Sequence, residues 1–473
     1  MSGGPRRGAS VAAFGIGARA ITQVVTVAIT IAAARSLDPE SFGVFSLAAI
    51  LTVFGRTLLY VGAYEYLMKS DEPDCYVSSG LVLNVTAAVF FGALLTVIGW
   101  AAAPYFGGDA FLSLLVMLMP SNVLAAFSAW QEAMILRGGK LSRYYLITIV
   151  AEIAAGTITI VLIERGLGLT ALVIQLYLRA ILLSIGFLLV DRPALGNAPS
   201  VASLRTIMGW SRSRYGAVFT NYLSNYAADF IIGALLSPSA TGLYRTGSRI
   251  VTAASDLFAQ PANLISRTAF SRLVREGKRP EEVWPDALLV FGILAFPALA
   301  GLAIMSGEIV SLVLGPTWQG AAQVIATLCV ARGAGLVPAI LGPLFIVRDL
   351  QRTVLAVQTF AAVATVLGLL WSSRLGLLHA AATVAIVQVV IAAVMIVRLA
   401  RLNGLDIARL ARIGGILAGV SAFVAATAKA TLMIPMTHGP ISIAAAIAAG
   451  SVAWACVAFA MRRRLIQSLH GLQ

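Results

Sequence analysis

Leu37-Asp38-Pro39-Glu40-Ser41-Phe42-Gly43-Val44-Phe45 returns 199 residues later as Leu236-Ser237-Pro238-Ser239-Ala240-Thr241-Gly242-Leu243-Tyr244. Leu, Pro and Gly recur at identical spacing, and an aliphatic then an aromatic residue follows Gly both times. Each copy closes one long apolar segment and opens the next. A motif repeated across half of an apolar chain marks a membrane bundle built from two related halves.

The rest of the chain agrees. Of its 473 residues, 59% are hydrophobic and only 11% charged, where a soluble domain carries about 25% charged residues. About 14 apolar segments reach the roughly 20 residues a bilayer crossing needs. They lie near 8–35, 43–69, 76–103, 110–136, 141–163, 168–190, 212–236, 242–268, 283–306, 320–347, 351–372, 376–400, 411–432 and 439–461. The first is too long for the core of a cleaved signal peptide and is expected to be a retained span. Six segments separate the motif copies. An even number keeps orientation, so the halves are expected to be parallel repeats about an axis along the membrane normal. Around the fourth and tenth segments Arg137 pairs with Arg348, an offset of 211, and the loop 274–285 absorbs the difference. The expected organisation is a six-helix lobe over 1–198, a second over 199–402 and an additional helix pair over 403–473. Within the connection between the lobes, 201–210 has helical apolar spacing and reads as an interfacial helix, or equally as a short linker. Pro104, Pro261, Pro297, Pro338 and Pro343 fall in or near spans, where prolines kink helices that line cavities.

The net charge of +14 invites a nucleic-acid reading, which its distribution refutes. Arg6, Arg7, Arg137, Lys140, Arg143, the stretch 267–279 and Arg462-Arg463-Arg464 all fall on one side of the predicted spans. Only Arg35, Arg165, Arg374 and Lys429 fall on the other. This positive-inside bias places both termini in the cytoplasm. Three cysteines and three histidines are scattered singly, so neither a disulfide framework nor a metal site is expected.

Arg19, Arg56, Arg179, Arg249 and Arg332 fall well inside spans. At roughly 2.5–3.5 kcal/mol each on insertion scales, they must face protein, water or a ligand. At 100° per residue, Arg245, Arg249, Thr252, Asp256, Gln260, Asn263 and Arg267 share an arc of about 80°. Gly15, Arg19, Thr22, Gln23, Thr26 and Thr30 form a stripe on the first segment, and Thr52, Arg56 and Tyr60 one on the second. On the seventh, Arg214, Asn221, Asn225 and Asp229 lie beside Tyr215, Tyr222, Tyr226 and Gly233. The first two segments of each half thus carry polar faces, which together would enclose a hydrated cavity. Mid-depth arginines (Arg19, Arg56, Arg179, Arg249, Arg332) suit an anion, phosphate or carboxylate. Amides, hydroxyls and phenols (Gln23, Asn221, Tyr222, Asn225, Tyr226, Thr252, Gln260) suit sugar. Asp229 and Asp256 are candidates for coupling to H+ or Na+; no other cofactor is expected. The competing reading pairs these charges with one another as structural ties. Arg245 reads as snorkelling, and Glu65 and Glu132, near inner helix ends, as solvated or capped.

Three stretches carry a resemblance: 35–45 after the first span, Asp229-Phe230-Ile231-Ile232-Gly233 leading into Gly242-Leu243-Tyr244, and Gly315-Pro316-Thr317-Trp318 before the tenth span. Here the chain resembles the polysaccharide-transporter branch of the multidrug/oligosaccharidyl-lipid/polysaccharide exporter superfamily, the Wzx-type flippases. The resemblance implies a MATE-like, V-shaped all-helical bundle with spans 1, 2, 7 and 8 lining its cavity. It implies alternating access for an undecaprenyl-pyrophosphate-linked oligosaccharide in the bacterial inner membrane, serving exopolysaccharide, O-antigen or capsule assembly. A polymerase or co-polymerase partner goes with that role. Of the motif residues only Asp229 carries over as a cavity group.

Two relatives of the same fold remain as alternatives. An ion-coupled drug exporter wants a dominantly acidic cavity, against which the five arginines count. A lipid-linked peptidoglycan precursor flippase is not separated by charge. A polymerase or ligase needs a sizeable outer loop for catalytic groups, and all outer loops here are short, so no enzyme is expected. Gly138-Gly139-Lys140-Leu141 lacks the spacing of a phosphate-binding loop, which argues against ATP drive from this chain.

Overall fold

A computed structural model describes the backbone of residues 5–70, 75–190, 195–403, 406–434 and 439–472. Side chains are described for all of these but 5–13, 16, 213, 217, 220, 221, 224, 402, 403 and 469–472. All regular structure among them is helical. In chain order the helices are α1 (Pro5–Ser36), α2 (Pro39–Leu59), α3 (Ala63–Lys69), α4 (Val77–Phe106), α5 (Asp109–Leu118), α6 (Ser121–Arg137), α7 (Leu141–Leu162), α8 (Gly168–Val190) and α9 (Val201–Leu235). They continue with α10 (Pro238–Arg275), α11 (Trp284–Ile304), α12 (Ser306–Val313), α13 (Gly320–Val347), α14 (Gln351–Ser372), α15 (Leu377–Asn403), α16 (Ile407–Leu432), α17 (Pro440–Ala460) and α18 (Arg462–Leu472).

Eleven stretches among the described residues are long and apolar enough to cross a membrane. One of them, Leu141–Val190, contains both α7 and α8. The seventh and eighth expected segments fall in α9 and α10, whose 35 and 38 residues exceed spanning length but are too polar to rank among the apolar stretches. The stretch 201–210 is helical and runs without interruption into the seventh segment as one helix, α9.

Both motif copies build the same helix start. Asp38 caps α2 by accepting the Ser41 N–H at 2.8 Å, with Pro39 in the first turn. Ser237, its counterpart, accepts the Ala240 N–H at 3.1 Å at the head of α10. Proline belongs there because its missing N–H has no intrahelical partner to lose. The Ser41 N–H holds the Asp38 carboxyl below the usual carboxylate range. A carboxyl depressed in the folded state contributes above its unfolded value of about 3.9, and that contribution is lost as pH falls through the folded value. Asp38→Ala is therefore expected to cost about 1 kcal/mol near neutral pH. Asp38→Asn is expected to keep most of the cap, and the gap between the two should narrow at acid pH. Thermal melting in detergent measures both.

The two copies also pack on each other. A Cβ on Gly43 would overlap the Pro238 carbonyl oxygen, and one on Gly242 would overlap the Pro39 carbonyl oxygen. The contact is reciprocal, as a local two-fold relation requires.

The later register is one residue shorter than the Arg137–Arg348 pairing supposes. Helix α6 closes with Lys140 N–H to Ile135 O at 3.2 Å around Gly139 (φ 69°). Helix α13 closes with Leu350 N–H to Phe345 O at 2.8 Å around Asp349 (φ 59°). These matching left-handed caps lie 210 residues apart. Backbone turn geometry sets the correspondence, and the two arginines make different bonds. Arg137 donates to the Leu67 carbonyl at 2.6 Å, whereas Arg348 forks onto Glu281 at 2.5 and 2.7 Å.

The chain divides into two compact units, Met1–Gly242 and Leu243–Gln473, rather than at 198/199. The reason is that α9 packs on α2, α3 and α4. Tyr222 donates to the Ile50 carbonyl, Arg214 pairs with Glu65, and the absence of a Cβ on Gly62 leaves room for Tyr215. In the second unit, one apolar core holds Trp284, Phe270 and Phe345 together with Ile413, Leu417 and Ala453. The final helices therefore share that core. Trp454 donates its indole N–H to Ile293 O at 2.8 Å, and Asp286 receives Arg409 at 2.7 Å and Ser468 at 3.1 Å.

Candidate functional site

The first unit gathers its polar side chains from α2, α3, α6, α7 and α8. On α2 the spacing of four places Thr52, Arg56 and Tyr60 on one face. Thr52 is fully buried and donates back to the Ala48 carbonyl at 3.0 Å. Arg56, one turn on, donates from Nη2 to the Ser121 hydroxyl at 3.3 Å. Its Nε is buried with no hydrogen-bond partner, and among the described residues no carboxylate oxygen comes within 4.0 Å of it. Its fork therefore keeps donors to offer.

Arg179 on α8 is committed differently. Its Nε lies 2.7 Å from Glu152 on α7, with side-chain exposures of 30% and 10%. This pair neutralises itself and leaves the charge of Arg56 uncancelled by Glu152.

Glu132 on α6 is buried, contrary to a solvated or capped helix end. Its carboxylate accepts the Tyr64 hydroxyl at 2.9 Å, and the Tyr60 and Tyr144 hydroxyls turn to it as well. Glu65 is likewise engaged, in the ion pair with Arg214, whose guanidinium lies 4.1 Å over the Trp210 ring.

On α9, Tyr222 is buried, with its ring tilted against Tyr226 at 4.5 Å and Phe54 at 4.4 Å between centroids. Tyr226 is half-buried, Asn225 exposed and Asp229 buried. The side chain of Asn221 lies outside the described residues. On α1, Arg19 is exposed and Gln23 half-buried. Thr22, Thr26 and Thr30 donate to the carbonyls of Ala18, Thr22 and Thr26 at 3.1, 2.8 and 2.8 Å. Such back-bonding satisfies the hydroxyl donors inside the helix, so this part of the stripe offers a ligand acceptors only.

In the second unit, α10 and α13 meet through small residues: a Cβ on Gly247 would press on Val324 and Ile325. Arg332 of α13 donates to the Thr252 hydroxyl of α10 at 2.8 Å, and among the described residues no carboxylate oxygen lies within 4.0 Å of it. Arg249 and Asp256 are half-buried and Gln260 exposed on the same helix. Asn263 reaches the Ala339 carbonyl of α13 at 2.9 Å.

Of the sequence-predicted groups, the structure brings together Arg56 with Arg179 in one unit and Thr252 with Arg332 in the other. Ser121, Glu132 and Glu152 are additions to the first cluster, with Tyr60, Tyr64 and Tyr144. The spacing Ser121, Ser128, Glu132 along α6 was the available signal, since seven and eleven residues return to one helix face.

A protein-family model described as "Polysaccharide biosynthesis protein" matches residues 32–323. The probable low-salt glycan biosynthesis flippase of Haloferax volcanii is 25% identical over 306 residues, 62% of this chain and 62% of its own length. The succinoglycan biosynthesis transport protein ExoT of Rhizobium meliloti is 22% identical over 313 residues, 63% of this chain and 61% of its own. The lipopolysaccharide biosynthesis protein WzxC of Escherichia coli is 23% identical over 313 residues, with the same coverage. The chain thus spans 61–62% of the length of these relatives. Among solved structures, the lipid II flippase MurJ in an inward closed conformation superimposes with a TM-score of 0.76 at 12% identity, covering 96% of this chain and 99% of that one. An inward-facing multidrug MATE transporter superimposes at 0.58 and 16% identity, covering 81% and 96%. At these identities the likeness is one of fold.

Proposed function

The chain belongs to the polysaccharide biosynthesis protein family, and from that premise we propose that it is a flippase for an undecaprenyl-pyrophosphate-linked oligosaccharide. The cargo moves from the inner to the outer leaflet of the bacterial cytoplasmic membrane by alternating access, for assembly of a surface or secreted polysaccharide. The chain is a transporter, not an enzyme. It crosses the bilayer fourteen times, in two six-helix halves and a C-terminal pair, with both termini in the cytoplasm. It delivers to a polymerase system on the far side. It needs no cofactor beyond a coupling ion, H+ or Na+, for which Asp229 and Asp256 are candidates.

One observation carries the choice of an anionic cargo. Arg56 stands mid-span with no carboxylate within 4.0 Å among the described residues and with Nε unbonded. A half-buried guanidinium with donors to spare is completed by an anionic ligand. Its planar fork matches phosphate oxygens, and a cationic drug would meet repulsion there. Arg332, exposed on α13 and bonded to the Thr252 hydroxyl, offers a guanidinium in the other unit. The phenols, amides and hydroxyls of Tyr222, Tyr226, Asn225, Gln23, Thr252 and Gln260 serve the sugars.

The test is reconstitution. Proteoliposomes carrying the purified chain are expected to move a fluorescent lipid-pyrophosphate oligosaccharide to the opposite leaflet and to leave cationic dyes in place. Dye transport without lipid-linked sugar transport would replace this reading by a drug exporter.

A further inference from the structure

We propose that Glu132 is a reversible proton-binding site inside the first unit, and that its proton sets the net charge around Arg56 and Arg179. The second half rests on the reading of Arg56 as the headgroup site; the first half does not.

The environment of Glu132 is built rather than incidental. The residue is 8% exposed, its carboxylate accepts the Tyr64 hydroxyl at 2.9 Å, and the Tyr60 and Tyr144 phenols face it. Among the described residues no basic nitrogen lies within 4.0 Å. The preceding side chain, Gln131, is 1% exposed, and both its amide atoms are without a hydrogen-bond partner. Unsatisfied buried amides in a native interior point to water at that place. A carboxyl so placed is pulled two ways. Burial favours the neutral acid, while the hydroxyl that Tyr64 donates favours the carboxylate. Neither form is excluded, which is what a site that must bind and release a proton requires.

The groups that set its titration come from every helix packed on α6. Tyr60 comes from the turn after α2, Tyr64 from α3, Tyr144 from α7 and Arg179 from α8; Arg56 of α2 and Glu152 of α7 flank Arg179. Helix α4 contributes the neutral amide of Asn84, which donates to the Ala126 carbonyl at 3.0 Å. With Glu132 ionised, Arg56 and Arg179 are balanced by Glu132 and Glu152. One proton from water converts the Glu132 carboxylate to the acid and leaves a single positive charge on the set. Anion and proton then bind with positive coupling, each strengthening the other by the same factor.

Infrared difference spectra of the full-length protein, recorded as pH is stepped, test the proton site without any cargo. A carboxylic C=O band that titrates is expected in the wild type, absent in Glu132→Gln and displaced in Glu132→Asp. Tyr64→Phe removes a donor to the carboxylate and is expected to raise the pH at which the band titrates. A band unchanged in all three variants overturns the proposal. Inorganic pyrophosphate tests the charge link. Wild-type affinity is expected to fall about tenfold as Glu132 loses its proton, and to be flat with pH in Glu132→Gln. A flat wild-type affinity alongside a titrating Glu132 band would remove the link to Arg56 and leave the proton site standing.

Discussion

Arg56→Gln is expected to reduce transport of the lipid-linked oligosaccharide by about 10- to 100-fold, the loss of one or two charge-assisted hydrogen bonds to a phosphate. Insertion should not suffer. The substitution takes a charge out of a span, where it costs roughly 2.5–3.5 kcal/mol, and Ser121 can still bond to the amide. Arg56→Lys keeps the charge but loses the planar fork, so it is expected to fall between the two. Arg179→Gln makes a contrast: it strips Glu152 of the partner at 2.7 Å and is expected to destabilise the first unit as well as slow transport. Transport in inverted vesicles, normalised to inserted protein, separates these outcomes. Wild-type rates in Arg56→Gln would mean that the guanidinium is a structural tie and that the headgroup binds elsewhere.

Gly43→Ala and Gly242→Ala are expected to be the most damaging small substitutions in the chain. Each adds a methyl group that overlaps a proline carbonyl of the other motif copy. Backbone cannot step aside as a flexible side chain does, so the cost is expected at or above the usual 1–3 kcal/mol of an overpacked core. Because both methyls strain one reciprocal contact, the double variant should lose less than the two singles added together. Gly92→Ala is the control. Nothing lies within 4 Å of a Cβ there, and alanine in a helix interior should be neutral or stabilising by up to about 1 kcal/mol. Melting temperature and detergent-soluble yield report all four. Equal stability of Gly43→Ala and wild type would mean that the motif contact is not part of the folded state.

Local periodicity made much of this protein legible. The apolar segments and the repeat of Pro39 and Gly43 as Pro238 and Gly242 are properties of short stretches. Helix geometry and the cost of burying an unsatisfied backbone in lipid act on such stretches independently of what surrounds them. The stripe Thr52, Arg56, Tyr60 was readable for the same reason. What periodicity cannot give is which helix faces which. Glu132 looked like a solvated end because its sequence neighbours say nothing of Tyr64 and Tyr144, which the fold brings to it from α3 and α7. Arg56 and Arg179 are equivalent in the sequence, whereas the fold bonds Arg179 to Glu152 and Arg56 to Ser121.

The sequence by itself determined that this chain is an all-helical membrane protein with an internal repeat and arginines at depth, since length, hydropathy and spacing are carried by each segment alone. Tertiary structure decided that α9 belongs with the first unit, that the two motif copies interlock glycine against carbonyl, and which of the deep charges are already answered. Those are contacts between residues tens to hundreds of positions apart, and only packing chooses among the partners that sequence leaves open.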